Sequence, residues 1–268
     1  MQSKLIVHAA ANGTGHRITP KSAGWSYVGF ETRALKAGDK SAVDTSDRET
    51  CVLLLSGKAR ATADGFDSGV IGERASVFDG LPWAVYLPPH IKASLEAATD
   101  CQLALCSAPA TGKLKARVLA PKDVRTLTRG EGSNTRHIRN VLAEGDDGAE
   151  SLFVIEVITP AGNWSSYPPH KHDRDALPDE SYLEETYYHR LKPAQGFAFQ
   201  RVYTDDGSLD EALTVRDGDV VLVPRGYHPV GAPHGYDLYY LNVMAGPKRV
   251  WRFHNDPAHE WLMKQAPA

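Results

Sequence analysis

His170 and His172 stand two apart in Tyr167-Pro168-Pro169-His170-Lys171-His172-Asp173, and Glu184-Glu185-Thr186-Tyr187-Tyr188-His189 begins twelve residues after His172. In an extended strand residues i and i+2 share a face, so the two imidazoles can be aimed at one point. Glu185, on the next strand, and His228, in Val223-Pro224-Arg225-Gly226-Tyr227-His228-Pro229, would complete a set of three imidazoles and one carboxylate. Such nitrogen and oxygen donors suit a divalent metal, Zn²⁺ first, with Mn²⁺, Fe²⁺ or Ni²⁺ also compatible. Glu180 and Glu184 compete with Glu185 for the acidic position. Glu185 is preferred because it begins its strand in line with Glu49 of an internal repeat, whereas Glu184 would face the opposite side. An H-x-H pair by itself also fits a His-rich surface loop, so the weight rests on what surrounds it.

What must position these residues is a strand-rich frame. Seventeen prolines and twenty-three glycines cut the chain into short segments rich in Val, Leu, Tyr and Phe, the mark of many strands joined by turns. Strands are expected at 27–35, 50–55, 84–87, 103–106, 151–158, 185–190, 197–203, 220–223 and 238–243. Helical signal is confined to short pieces at 121–124 and 257–264. The frame is duplicated. Gly38 recurs as Gly162, Glu49-Thr50 as Glu185-Thr186, Asp79-Gly80 as Asp217-Gly218, Leu87-Pro88 as Val223-Pro224 and Pro109 as Pro247. The offset changes once, by about twelve residues, between Gly162 and Glu185. A strand-rich unit repeated in this way closes its edges as a barrel or jelly roll in each copy. The expected division is an N-terminal barrel at 1–115, a connector at 116–140 and a C-terminal barrel at 141–268. The same offsets set Ser46, Arg48 and Lys92 opposite His170, His172 and His228, so the first copy keeps the frame without the imidazoles. The basic, glycine-bearing run from Arg129 to His137 in the connector could hold an anion, although a solvated linker or packing segment is the favoured reading.

Composition removes several function classes. The chain has 268 residues, with 42% hydrophobic and 24% charged, and a formal net charge of −3. That balance is globular and offers no broad positive field for nucleic acid or an acidic membrane. Residues 1–11 lack the apolar run of a signal peptide, and no stretch approaches the ~20 apolar residues of a membrane span, so a cytoplasmic location is expected. Cys51, Cys101 and Cys106 form no C-x-x-C pair and sit in apolar runs, where the expected role is buried hydrophobe. Tyr-rich segments and strand edges leave a homo-oligomer open.

The histidine spacing and Pro224-Arg225-Gly226-Tyr227-His228 resemble the cupin superfamily, with one departure: Glu185 lies thirteen residues beyond His172, further than cupins usually place it. An excursion over 173–183 at the barrel mouth would account for the difference. Longer segments, from Gly162-Asn163-Trp164 through His172, Glu184 to Tyr188, Gly196 to Tyr203 and Asp237 to Pro247, resemble the 5-deoxy-glucuronate isomerase family, and the likeness runs along essentially the whole chain. The resemblance implies a bicupin, two tandem jelly-roll β-barrels with few short helices. It also implies a metal-dependent conversion of the aldose 5-deoxy-D-glucuronate to the ketose 5-dehydro-2-deoxy-D-gluconate in inositol catabolism. Moving a carbonyl from C1 to C2 needs a base to carry a proton and a cation to stabilise an enediol. Glu185, Tyr187 and His189, on one strand face, are the candidates for proton transfer, with barrel-core packing the competing role for Tyr187 and a structural or exposed imidazole that for His189. Arg201, between apolar residues, is the first candidate for the substrate carboxylate, with a structural ion pair the alternative. Lys171 is a weaker one, and Trp164 and Tyr239 are candidate pocket walls. A dioxygenase built on a His₃Glu iron site and a non-catalytic sugar-binding bicupin are the rival readings.

Overall fold

The computed structural model describes residues 3–10 and 15–264. Among them the backbone is almost wholly strand, relieved by one short helix, Pro20–Ala23, and 3-10 turns at Pro121–Asp123, Gly132–Asn134 and Glu260–Lys264. The helix starts because Thr19 and Ser22 form a reciprocal capping box with Pro at the first turn. It stops at Gly24, whose φ of 75° is left-handed.

Two large antiparallel sheets carry the fold. The six-stranded sheet runs Arg117–Leu119, Ala84–Leu87, Arg48–Ser56, Cys101–Pro109, Gly29–Leu35, Arg17–Ile18 in spatial order. The seven-stranded sheet runs Ile6–Val7, Val220–Val223, Glu184–Lys192, Asp237–Ala245, Phe153–Thr159, Arg136–Leu142, Arg125–Arg129. Each is backed by a four-stranded sheet, in the first half Lys40–Asp44, Lys92–Ala97, Ala59–Ala63, Phe66–Ile71, and in the second Trp164–Ser165, Val230–Gly231, Phe197–Tyr203, Asp210–Arg216. The result is a tandem pair of β-barrels, and each strand expected from the sequence is present within a few residues of its place. The strands that escaped notice, such as Ala59–Ala63 and Asp210–Arg216, are rich in alanine or charge and half-exposed, which lowers their β signal.

Strand alternation sorts the core into three parts. Cys51, Leu53 and Leu55 face the seven-stranded sheet and join Tyr188, Leu222, Tyr239 and Leu241 between the barrels. Val52 and Leu54, on the other face, fill the N-terminal barrel with Val43, Ala61 and Leu95. Phe153, Ile155, Tyr187, Val221 and Tyr240 line the C-terminal barrel. Burial pushes the Cys51 thiol up to about 12 and that of Cys106 well above its ordinary value, so both are packing groups and not nucleophiles.

The barrels exchange edge strands. Ile6–Val7 precedes the first barrel and pairs with Val220–Val223 of the second; Arg117–Leu119 precedes the second and pairs with Ala84–Leu87 of the first. Arg125–Arg129 and Arg136–Leu142 form a hairpin that extends the seven-stranded sheet. Residues 116–140 are therefore divided between both barrels and do not form a separate connector. Buried carboxylates repeat the exchange. Glu184 accepts the backbone N–H groups of Ser26, Tyr27 and Val28, and Glu49 accepts those of Glu150, Ser151 and Leu152. Each ties its own barrel to the chain entering the other.

That symmetry corrects the repeat alignment. Thr50 pairs with Leu87, and Glu185 pairs with Val223, so Thr50 is the counterpart of Glu185 and Glu49 that of Glu184. Lining up Glu49 with Glu185 was off by one residue.

Candidate metal centre

His170 lies on a two-residue strand, His170–Lys171, bonded to His254–Asn255 from near the C-terminus. Beyond His172 the chain makes the excursion expected at the barrel mouth, a hairpin of Asp173–Ala176 and Glu180–Tyr182. Glu180 closes it by accepting from Asp173 and Arg174 N–H and from the Arg174 guanidinium. Glu180 and Glu184 are thus both occupied structurally. Glu185 points into the barrel, with Oε2 3.2 Å from His172 Nε2 and 3.2 Å from His228 Nε2. His170, His172 and His228 present ring nitrogens within 4.8 Å of one another. Lys171, between two of them, faces the other way against Asp173 and Asp205, as alternation requires.

His228 is delivered by Gly226. A Cβ there would stand 2.4 Å from Tyr203 O, and its φ is +90°, so only glycine lets the loop pass the neighbouring strand. The imidazoles are then oriented from behind. His172 Nδ1 lies 3.0 Å from Leu183 O and His228 Nδ1 2.8 Å from Gly226 O. With Nδ1–H donating to a carbonyl, Nε2 carries the lone pair toward the centre.

Electrostatics favour the neutral imidazole at His170 and His228, while Glu185 favours the protonated form of His172. Burial, followed by the neighbouring His172, pushes His170 down to about 3. Burial also lowers His228 to about 3, against the opposing charge of Glu185. At His172 burial is outweighed by the hydrogen bond and charge of Glu185, and its pKa rises. Neutral imidazole is the metal-binding form. His228 Nε2 is buried without a hydrogen-bond partner, a cost that a coordinated cation removes. Three nitrogens and one carboxylate around an orphaned donor fit a divalent metal.

The centre opens on a cavity of about 1320 Å³ whose wall includes His170, Glu185, Tyr187 and Tyr240. Tyr187 Oη is 2.9 Å from Ser166 Oγ, and Tyr240 Oη bonds Ser165 Oγ. Burial drives the Tyr187 phenol well above its usual pKa and that of Tyr240 to about 12, so both hydroxyls stay protonated. Phe253, 4.9 Å from His170 between ring centres, covers one side.

Comparison with known proteins places this geometry. The profile of the KduI/IolB family matches residues 5–262. The chain belongs to the KduI/IolB family. It is 52% identical over 266 residues to the 5-deoxy-glucuronate isomerase of Geobacillus kaustophilus, covering 98% of this chain and 96% of that protein. It is 46% identical to the protein of the same name from Bacillus subtilis strain 168, covering 96% of each. The crystal structure of an IolB-like protein from Salmonella typhimurium LT2 superposes with a TM-score of 0.94 at 47% identity, over 97% of this chain and 99% of that one. An oxalate decarboxylase from Lactobacillus farciminis shares the fold alone, with a TM-score of 0.67 at 14% identity, over 99% of this chain and 92% of that one. The tandem barrels are therefore a bicupin.

Within this KduI/IolB chain the other residues singled out from the sequence lie elsewhere. His189 is fully buried behind Tyr187, with ring centres 5.9 Å apart, and bonds Gln200; it does not line the cavity. Arg201 is on the outer surface of its sheet, paired bidentately with Asp210. That is the structural ion pair, and the carboxylate role does not fit its position. Tyr239 points into the inter-barrel core, where its hydroxyl donates to Glu156, itself clamped by Arg74. Trp164 is 43% exposed and lies over Gly231. All three substrate-pocket assignments fell on the wrong strand face, and in each case the inward residue is a neighbour: Tyr240, Ser165 and Gln200. The cavity also takes Asn242 from the Tyr240 strand and Arg129 and Arg136 from the hairpin read as connector. The basic run was the one signal pointing to these arginines.

Proposed function

We propose that the protein is a metal-dependent aldose–ketose isomerase that converts 5-deoxy-D-glucuronate to 5-dehydro-2-deoxy-D-gluconate. The observation carrying this reading is the convergence of His170, His172, His228 and Glu185 at the floor of one large cavity, in a chain about half identical to proteins of that name. These four residues would hold a divalent ion, Zn²⁺ by preference, which would supply Lewis-acid polarisation of the carbonyl and charge stabilisation for the enediol. Glu185 is the proton carrier. It is the carboxylate in contact with the imidazole cluster, and it takes the C2 proton at its second oxygen, exchanges it with solvent in the enediol's lifetime and delivers a proton to C1. Tyr187, held by Ser166, gives its hydroxyl proton to O1 as the enediol forms and recovers one from O2 as the ketose carbonyl forms, ending protonated as burial favours. Tyr240 and Phe253 shut water from that end of the cavity.

The substrate is a small sugar acid and the place of action the cytoplasm; no helix among the described residues is long and apolar enough to cross a membrane. Incubation with 5-deoxy-D-glucuronate in D₂O without oxygen is the test. The expected outcome is ketose carrying solvent deuterium at C1. Absence of anaerobic turnover with an oxygen-dependent product would instead indicate a dioxygenase, and ligand binding without turnover a container.

A further inference from the structure

Arg129 and Arg136 are direct cross-strand partners at the turn end of the hairpin formed by Arg125–Arg129 and Arg136–Leu142. Opposed residues in an antiparallel pair project to one face, and like charges so placed repel. Both line the cavity that holds His170 and Glu185. Several other arginines find a carboxylate: Arg74 takes Glu156, Arg174 takes Glu180, Arg190 takes Asp217 and Arg201 takes Asp210. Neither Arg129 nor Arg136 has an ion-pair partner among the described residues. Arg136 Nη1 reaches only the carbonyl of Asn134, at 3.0 Å. Glu131 is also on the cavity wall but pairs with neither guanidinium.

Gly130 makes room for this arrangement. Its φ is +75°, and a Cβ would lie 2.8 Å from Arg136 Nη1 and 2.1 Å from Asn134 O, so the turn folds around the guanidinium. Burial lowers the Arg136 pKa, and Arg129 acts in the same direction. Arg136, half-buried without a counter-charge and facing the exposed Arg129, is stabilised by an anion entering from the cavity, and a guanidinium grips a carboxylate bidentately.

We propose that Arg129 and Arg136 form the seat for the carboxylate of the sugar acid, with Arg136 the principal contact, so that the acid end binds on the hairpin while the reacting carbons lie at the histidine cluster. This assignment rests on the isomerase reading for the identity of the acid, and not for the existence of an anion seat. It gives the hairpin a function in substrate selection.

The test is calorimetric titration of the metal-loaded protein with D-glucuronate and with uncharged D-glucose, in wild type, Arg136→Gln, Arg129→Gln and Arg136→Lys, with melting temperature recorded for each. Glucuronate is expected to bind wild type more tightly than glucose. Arg136→Gln should weaken glucuronate at least about tenfold, with Arg129→Gln weaker by a smaller factor and Arg136→Lys intermediate, while glucose is unaffected and the fold is retained. In turnover of 5-deoxy-D-glucuronate, KM should rise far more than kcat falls. Undiminished glucuronate affinity in both glutamine variants, or no preference of wild type for the acid, overturns the assignment. Turnover with unchanged KM in the variants also overturns it and leaves the isomerase reading standing. Arginine-dependent glucuronate binding by a protein that fails to isomerise would support the seat and remove the isomerase reading.

Discussion

Inside the N-terminal barrel Val52, Leu54, Leu95 and Leu103 close on one another and leave an aliphatic plug. In the C-terminal barrel the corresponding sheet turns Glu185, Tyr187 and His189 inward, and His170, His172 and His228 meet above them. Thr50 occupies the place of Glu185. Of the residues that the repeat sets opposite the histidines, Ser46 and Lys92 are exposed, and Arg48 is tied to Ser107 and to the carbonyl of Tyr27. The frame needs only alternating apolar residues, which any of several side chains supply. The site needs polar groups in the interior, and each must find a partner or incur a desolvation cost of about 1–3 kcal/mol. On the proposed function one barrel serves as a support, packed through a shared core and through the reciprocal carboxylates Glu49 and Glu184, and the other as the reaction vessel.

Substitutions that treat the barrels unequally can break this division. The largest effect is expected from His228→Ala, which should lower kcat by at least about a thousandfold while circular dichroism stays native; near-normal turnover would return the site to the status of core filler. Leu54→Ala, deep in the first barrel, should cost about 2–5 kcal/mol in urea unfolding and leave kcat/KM of the folded enzyme within a factor of two. A selective loss of activity there would show that the plug takes part in catalysis.

Acid sharpens the contrast further. Burial holds His189 at about 4 in the folded protein, against about 6.5 when unfolded. The unfolded chain therefore binds the proton first as pH falls below 6.5, and the stability present above that pH is lost progressively down to about 4. For this one group the loss is about 3 kcal/mol. His189→Gln should flatten the slope of unfolding free energy over that window by about this amount, and an unchanged slope would count against a neutral buried imidazole. The smallest effect is expected from Arg201→Gln, which breaks an exposed pair with Asp210. Stability should change by less than about 1 kcal/mol, with KM within twofold of wild type.

The duplicated strand plan and the convergence of His170, His172, His228 and Glu185 were legible because each departs from its surroundings: imidazoles two apart after a proline pair and an acid at the head of an apolar strand. Alternation turns Glu185 toward the histidines and Glu184 away from them, whereas the repeat offset misplaces the acid by one residue. Pocket walls were not legible, for a physical reason. Asp237–Ala245 is buried on both faces, so its pattern carries no period of two, and nothing distinguishes Tyr239 from Tyr240. In Phe197–Tyr203 the outward face carries the large aromatics, Phe197 and Phe199, which inverts the usual sign and drew attention to Arg201 instead of Gln200. The hairpin bearing Arg129 and Arg136 resembled a linker because its charge and glycines are those of a solvated loop. Its pairing with Phe153–Thr159 is long-range in origin and invisible in local composition.

Counting metal in the protein as purified, with no metal added, is the most direct test of the account. One divalent ion per chain in wild type, lost in His170→Ala and in His228→Ala with the fold intact, is the predicted result. A wild-type chain that carries and accepts no metal, or full metal content in both variants, would contradict it.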